Sequence, residues 1–277
     1  MSSVVLVTGG ASGIGFEICQ YFLRKKDAHV VILDNNPSSG SVAVGKLTAE
    51  FSNASVSFIE CNAASWPSQA AAFEQVYNQH GRIDIVFANA GISEKEPIYG
   101  ADVTKLQEPS LSVVDVNVNG VIYSINLAVH YMAKNAPHLP SESSIPLRGQ
   151  IICTSSCAGI YPFSTLPLYT ASKHAVVGLV RSLGRPLALP KLQIQINAFA
   201  PGPIMTSFSA NAEVYQNLFT TPLSTVAKAL NMLMESRDVT GQVFELHGEY
   251  VTLAKPPTYQ HEETGKNIEY YWSLGHI

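Results

Sequence analysis

A glycine-rich turn near the start of the chain constrains its fold more than any other feature. The apolar run 4–7 leads into Gly9, Gly13 and Gly15, and apolar residues at helical spacing follow from Ile14. This order predicts a strand, a tight turn and a helix. In such a unit the backbone N–H groups at the helix start can cradle a pyrophosphate, because glycine permits a close approach of the backbone. The turn therefore predicts a dinucleotide site.

An acidic residue ends the next predicted strand and indicates which dinucleotide binds. The aliphatic run 28–33 leads into Asp34, about 20 residues after the turn, where a carboxylate can accept hydrogen bonds from ribose hydroxyls. The same charge would repel a 2′-phosphate. The neighbouring residues 11–12 and 35–36 include no Arg or Lys to neutralise such a phosphate. We therefore expect NAD as the cofactor in preference to NADP.

Strand and helix patterns alternate through most of the sequence. This alternation predicts an α/β protein with a three-layer Rossmann fold, in which a doubly wound parallel sheet carries helices on both faces. A long helix is expected over about 111–134. The segment 135–149 holds three prolines and three serines and is interpreted as a surface insertion.

The last third of the chain is harder to assign. A lid-like region over about 205–222 is expected before a short helix at 224–234 and a last strand at 242–246. We predict one Rossmann-type domain over residues 1–250, with the lid included. Residues 251–277 show no clear period and are interpreted as a docked C-terminal arm or a partly disordered tail.

Bulk properties exclude several classes of partner. A net charge of −4 with no basic run argues against nucleic acid. Only 14% of residues are charged and the mean hydropathy is +0.12, so few charged residues are available to cover the surface. We therefore expect a homodimer or homotetramer, in which contacts between subunits bury part of that surface. The four cysteines lack CxxC spacing and are expected to be reduced, and no metal site is predicted. With no room for a signal peptide and no apolar run of membrane-spanning length, we expect a cytoplasmic protein without a membrane partner.

Tyr169 and Lys173 are the first candidates for chemistry. A separation of four residues places them on one face of a predicted helix. A free tyrosine has a pKa near ~10, and a neighbouring ammonium lowers it by favouring the phenolate. A tyrosine tuned in this way can act as a general base on an alcohol or as a general acid on a carbonyl. A buried tyrosine beside a solvated lysine on an ordinary helix is the alternative interpretation.

Five motifs in order extend this pair. They are TGxxxGxG at Thr8, Gly9, Gly13 and Gly15; NAG at Asn89, Ala90 and Gly91; a helix asparagine at Asn117; Ser156, which precedes Tyr169 by 13 positions; and PGxxxT at Pro201, Gly202 and Thr206. With these motifs the chain closely resembles the short-chain dehydrogenase/reductase family, in its branch of about 250 residues. The resemblance runs from Val4 to about Leu246.

The resemblance implies a catalytic tetrad. Ser156 would hydrogen-bond the substrate oxygen, and Tyr169 would exchange its proton. Lys173 would bind the nicotinamide ribose and lower the tyrosine pKa, while Asn117 would distort its helix and hold a water that relays protons from Lys173. Ser155 is the rival of Ser156, but strand alternation turns it to the opposite side and the family spacing favours Ser156.

The resemblance also implies which residues hold the cofactor, with Ile204 and Thr206 orienting its carboxamide. The expected NAD-binding residues are Gly9, Ser12, Gly13, Ile14, Gly15, Asp34, Asn62, Ala63, Asn89, Ala90, Gly91, Tyr169, Lys173, Pro201, Ile204 and Thr206. Two positions depart from the family pattern. Asn62 stands where an Asp is common at the adenine, and Pro186 interrupts the helix that usually pairs across subunits.

The expected substrate is an apolar and bulky secondary alcohol or its ketone. Apolar residues precede the tyrosine or lie in the lid, although core packing would explain them as well: Phe163, Leu166, Pro167, Leu168, Met205, Phe208, Tyr215 and Phe219. Within the family the chain looks most like dehydrogenases of hydrophobic alcohols, such as the 15-hydroxyprostaglandin type and secondary-metabolite enzymes. Two alternatives stay open: an NAD(H)-binding regulator or scaffold without turnover, and a member that promotes a cyclisation or rearrangement.

Overall fold

An eight-stranded sheet forms the centre of the part of the chain that the structure describes. This computed structural model describes residues 2–25, 28–138, 145–186, 188–206, 217–235 and 239–274. The strands are β1 (Ser3–Thr8), β2 (Ala28–Asp34), β3 (Val56–Glu60), β4 (Ile85–Ala88), β5 (Gly149–Thr154), β6 (Ile194–Pro201), β7 (Val243–His247) and β8 (Tyr250–Leu253). Their order is β3-β2-β1-β4-β5-β6-β7-β8, and only β8 pairs antiparallel. The order reverses between β1 and β4, which is where open α/β sheets bind ligands.

Helices cover both faces of this sheet. They are α1 (Gly13–Lys25), α2 (Pro37–Glu50), α3 (Trp66–His80), α4 (Ser112–Val114), α5 (Gly120–Met132), α6 (Pro167–Leu183), α7 (Ser224–Glu235) and α8 (Glu262–Leu274). One apolar core joins α3, α5 and α6 to the sheet, and a second core on the other face joins α1, α2 and α7 to it. The expected three-layer, doubly wound Rossmann fold is therefore confirmed.

Helices α2 and α3 begin with ordinary capping chemistry. The side chain of Asn36 accepts a hydrogen bond from the Ser39 N–H and caps α2. The side chain of Ser65 accepts from the Ser68 N–H and caps α3, and Gly81 ends that helix with a left-handed φ of 72°. These two ends explain the bounds of α3.

The long helix expected over 111–134 is not continuous. A π-helical turn, Asp115–Asn119, separates α4 from α5, so one extra residue is accommodated in the middle of the run. The run Ser112–Met132 has 21 residues, and its most apolar 18-residue stretch has a mean hydropathy of 1.2, enough by length and composition to cross a membrane. The expectation that no apolar run reaches membrane-spanning length is wrong by this measure. The core helix of a soluble protein passes the same test, and 44% of the most apolar stretch is buried.

The end of the chain has more regular structure than the sequence pattern indicates. Strand β8 pairs with β7 and extends the sheet to Leu253, past the expected end of the domain at residue 250. Helix α8 follows, and the Arg185 guanidinium lies 3.5 Å from the centre of the Trp272 ring. Helix α6 already ends at Leu183, so Pro186 follows that helix and does not bend it.

All four cysteines are buried and free, in agreement with the expectation of reduced thiols: Cys19, Cys61, Cys153 and Cys157. Burial raises the pKa of Cys61 to about 11 and that of Cys153 to about 12, so both remain protonated at neutral pH. Part of the expected insertion, residues 139–144, and part of the expected lid, residues 207–216, lie outside the described residues.

Candidate active site

A cleft of about 650 Å³ opens at the carboxyl ends of the parallel strands. It spans the point between β1 and β4 at which the strand order reverses. Most of the expected site residues line it: Gly9, Ser12, Gly13, Ile14, Asp34, Asn62, Ala63, Asn89, Ala90, Gly91, Ser156, Tyr169, Lys173, Pro201, Ile204 and Thr206. Gly15 and Asn117 are not among the lining residues, and each supports residues that are.

The turn after β1 has room only for glycine at three positions. Gly9 and Gly13 have φ values of +64° and +54°, in the left-handed region that favours glycine. At Gly15 a Cβ atom would lie 2.2 Å from the Gly9 carbonyl oxygen. The Gly9 N–H donates to the Leu33 carbonyl at 2.7 Å, which ties the turn to the end of β2. A side chain would distort this turn, so its backbone lines the cleft bare at Gly9 and Gly13 and forms a cradle there.

Asp34 places a negative charge beside this cradle. Its Oδ2 accepts a hydrogen bond from the Ala11 N–H at 3.2 Å, and its Oδ1 accepts from the Asn36 N–H at 3.1 Å. These two bonds fix the carboxylate relative to the turn. Among the described lining residues Lys173 is the only lysine or arginine. The end of the cleft near Asp34 thus offers acceptors for hydroxyl groups and no described cation for a phosphate.

Tyr169 and Lys173 lie in the first turns of α6, as expected. The Lys173 Nζ lies 5.5 Å from the centre of the Tyr169 ring and donates to the Thr154 carbonyl at 2.8 Å. Lys173 is only 3% exposed, and burial lowers its pKa from 10.5 to about 8. At neutral pH the lysine is still mainly charged, and a charged ammonium beside the tyrosine favours its phenolate form.

The π-turn places Asn117 between the loop after β4 and α6. Its Oδ1 accepts from the Ile92 N–H at 2.8 Å, and its Nδ2 donates to the Ile92 carbonyl at 2.9 Å and to the Ser172 hydroxyl at 3.0 Å. A Cβ at Gly91 would lie 3.3 Å from both Asn117 Oδ1 and Lys173 Nζ. The helix is distorted at this asparagine, as the resemblance implies.

The two candidate serines differ in what their hydroxyls contact. The Ser155 hydroxyl donates to the Lys173 carbonyl at 2.9 Å, so its proton is used within the protein. The Ser156 Oγ accepts from the Ala158 N–H at 3.1 Å and donates to the Pro201 carbonyl at 3.4 Å, a longer bond than that of Ser155. Both residues line the cleft. The geometry favours Ser156 as the residue that can turn its hydroxyl to a substrate oxygen.

Comparison with known proteins agrees with this arrangement. The family model described as short chain dehydrogenase matches residues 3–216. The chain belongs to this family. It is 37% identical over 206 residues to the short-chain dehydrogenase/reductase prx4 of Penicillium rubens, a match that covers 73% of this chain and 55% of that protein. The chain therefore spans about half the length of this relative.

Two further similarities come from a curated relative and a solved structure. The chain is 32% identical over 215 residues to the 15-hydroxyprostaglandin dehydrogenase (NAD(+)) of Homo sapiens, covering 78% of this chain and 73% of that protein. Levodione reductase has the same fold with a TM-score of 0.75 and 23% identity, over 89% of this chain and 96% of that chain.

The NAG motif of the family joins three strands. The Asn89 side chain donates to the Thr8 carbonyl at 3.0 Å and accepts from the Thr154 hydroxyl at 2.9 Å. The ends of β1, β4 and β5 are thereby held together under the cleft. Asn62 already accepts from the Ala64 N–H at 3.0 Å, but an amide oxygen has a second lone pair for an adenine amino group.

The apolar end of the cleft agrees only in part with the sequence analysis. Phe163 and Leu166 line it, whereas Pro167, Leu168, Met205 and Phe219 are not among its lining residues. Phe219 is 88% exposed. Phe208 and Tyr215 lie outside the described residues.

Several lining residues were not among the expected site residues: Asn35, Cys61, Ile92, Val116, Thr154, Ser155, Cys157, Thr165, Gly202, Pro203 and Leu218. Most of them are direct neighbours of motif residues. Ser155 was weighed only as the rival of Ser156, and Leu218 lies in the expected lid. Proximity in sequence to a strand end is the signal that would have found Ile92 and Cys157.

Proposed function

We propose that the protein is an NAD-dependent dehydrogenase that interconverts a secondary alcohol and its ketone. One observation carries the proposal: a single cleft contains both the glycine cradle with Asp34 and the group formed by Ser156, Tyr169 and Lys173. A dinucleotide held at the first part would end near the second. The activity of the human relative, as its name states it, supports the same reaction class.

The residues of this chain fit NAD. The turn around Gly9 and Gly15 packs too tightly to admit a Cβ, which keeps its backbone close to the cleft, and Asp34 supplies acceptors for ribose hydroxyls. Lys173, Ile204 and Thr206 line the same cleft, and the Lys173 ammonium is the donor proposed for the nicotinamide ribose. When bound, NAD supplies the hydride acceptor, and all other steps fall to the protein.

The protein moves a proton. In the oxidation of an alcohol, Tyr169 accepts the hydroxyl proton as a general base, and Ser156 holds the substrate oxygen. The Lys173 ammonium stabilises the phenolate form of the tyrosine by its charge. Because its pKa is lowered to about 8, Lys173 can also pass on a proton at mildly alkaline pH. Ketone reduction uses the same groups in reverse.

An apolar substrate is proposed from the walls beside the tyrosine. Ile92, Phe163, Leu166 and Leu218 line this end of the cleft and offer hydrocarbon surface. Burial of a matching alkyl or ring surface contributes about 25 cal/mol per Å². We propose the substrate class of bulky apolar secondary alcohols on this basis.

Hydride transfer measured by NADH absorbance, in both directions and over a panel of apolar secondary alcohols and ketones, tests the proposal. Tyr169→Phe should reduce turnover by at least about 100-fold, since general acid–base catalysis contributes about 10²–10⁴-fold. NAD binding should persist in that variant. Tyr161→Phe is the matched control, because Tyr161 is exposed and its hydroxyl contacts Glu245.

The outcomes separate the alternatives. Full turnover in Tyr169→Phe would show that the proposed acid–base role is wrong. A parent protein that binds NAD but turns over no alcohol or ketone would favour the regulator. A redox-neutral change of substrate at constant NAD would favour the cyclisation or rearrangement.

A further inference from the structure

The catalytic helix begins without a cap of its own. Leu166 occupies the N-cap position of α6 and its side chain makes no capping hydrogen bond, and Pro167 at the first position has no N–H. The Tyr169 N–H is instead bound by Glu94, whose Oε2 accepts it at 2.5 Å. Glu94 lies 75 residues earlier in the chain, in the loop after β4. A carboxylate at a helix N-terminus satisfies a free donor and interacts favourably with the helix dipole.

The loop that carries Glu94 is itself held by Asn117. Asn117 binds both the N–H and the carbonyl of Ile92, two residues before Glu94. Asn117 also donates to the Ser172 hydroxyl, which in turn donates to the Tyr169 carbonyl at 2.7 Å. A closed chain of hydrogen bonds thus reaches both backbone polar groups of Tyr169. The position of this residue is set by the loop and the π-turn as well as by its own helix.

The cap is not the arrangement that stability alone favours. The second oxygen of Glu94, Oε1, is buried and has no hydrogen-bond partner among the described residues. A buried acceptor without a partner costs free energy, and a short exposed Ser or Asp at position 166 would cap the helix without that cost. A cap supplied by Glu94, from the loop after β4, instead couples this loop to Tyr169.

We propose that Glu94 is a positioning residue for Tyr169, which it holds at the depth in the cleft that proton transfer requires. The inference rests on the proposed function of Tyr169 as the general acid and base. Glu94 acts through its hydrogen bond to the backbone of that residue. A misplacement of about 1 Å at a reacting group can reduce the rate by about 100-fold. Partial loss of this constraint should therefore affect kcat much more than the KM for NAD.

Two substitutions of Glu94 and two controls test this inference. Glu94→Ala removes the acceptor and should lower kcat about 10-fold, with the KM for NAD changed less than about 2-fold. Glu94→Gln keeps an acceptor of the same length and should restore kcat to within about 3-fold of the parent value. Glu96→Ala changes an exposed glutamate in the same loop, and Ser65→Ala removes the cap of α3. Both controls should leave kcat unchanged.

Hydrogen exchange gives a readout that needs no turnover. In Glu94→Ala, the peptide that contains Tyr169 and Thr170 should exchange its amide protons faster than in the parent, and Glu94→Gln should restore protection. If the parent transfers no hydride, the proposed function is wrong, and so is the role of Glu94 in catalysis. Hydrogen exchange still reports on the contact between Glu94 and the Tyr169 N–H. If the parent is active, the inference is overturned when Glu94→Ala keeps full kcat or loses no more than Ser65→Ala. It is also overturned when Glu94→Gln loses as much as Glu94→Ala.

Discussion

Burial of the charged Lys173 side chain should lower the free energy of unfolding of this protein. Burial lowers the pKa of Lys173 from 10.5 to about 8. Each pKa unit corresponds to about 1.4 kcal/mol, so the charged ammonium costs about 3 kcal/mol in the folded state at neutral pH. Lys173→Met removes the charge at similar length but leaves the Thr154 carbonyl without its donor, at a cost of about 1 kcal/mol. The variant should therefore be more stable by about 2 kcal/mol at pH 7.

The pH dependence of this gain has a definite sign. Below pH 8 the lysine is protonated in both the folded and the unfolded state, so the full cost is present. Between pH 8 and 10.5 the unfolded state binds more protons, and the stability of the parent rises with pH relative to that of the variant. The advantage of Lys173→Met should shrink across this window.

Urea unfolding of the protein without cofactor, followed by circular dichroism at pH 7 and at pH 9.5, measures both effects. The variant should also lose hydride transfer, since no ammonium remains beside Tyr169. Lys228→Met is a suitable control because that lysine is exposed and pairs with Glu249 at the surface. A Lys173→Met protein that is less stable than the parent at pH 7 would refute the assignment of a desolvation cost to this residue.

Three further predictions concern the turn, the cofactor and a histidine pair. Gly15→Ala should abolish NAD binding in a titration, because its Cβ would meet the Gly9 carbonyl oxygen, whereas Gly45→Ala has open space and should stabilise by up to about 1 kcal/mol. Asp34→Ser should raise the affinity for NADP relative to NAD, and an unchanged ratio would contradict the role of this carboxylate. Burial, and secondarily the charge of His80, lowers the pKa of His29. The free energy of unfolding should therefore fall as pH drops below 6.5, because the unfolded state then binds more protons. In His29→Gln this dependence on pH should be weaker.

The local pattern of the sequence was sufficient for the parts of the site that depend on neighbouring residues. The glycine turn, Asp34 at the end of a strand, and the spacing of Tyr169 and Lys173 are all short-range features. Their geometry follows from glycine conformations and from helical periodicity, which act over a few residues. The fold class followed in the same way from alternating strand and helix patterns.

Other features were missed because their signal was weak or lay outside the pattern considered. The sequence analysis took 111–134 as one helix from its pattern, and only the resemblance implied the distortion that the π-turn makes at Asn117. It found no period after residue 250, although β8 forms there by pairing with β7. An edge strand exposed on one side carries little hydrophobic alternation, so its pairing partner decides whether it forms.

What the sequence determined by itself is the kind of fold and the identity of the residues available for chemistry. Only the tertiary structure decided which of them meet and how they are held. Glu94 has no helical or strand pattern that marks it, and its partner, the Tyr169 N–H, lies 75 residues away. The low pKa of Lys173 likewise arises from burial by several separate segments of chain. Such contacts depend on the packing of distant elements, and short-range periodicity carries no information about them.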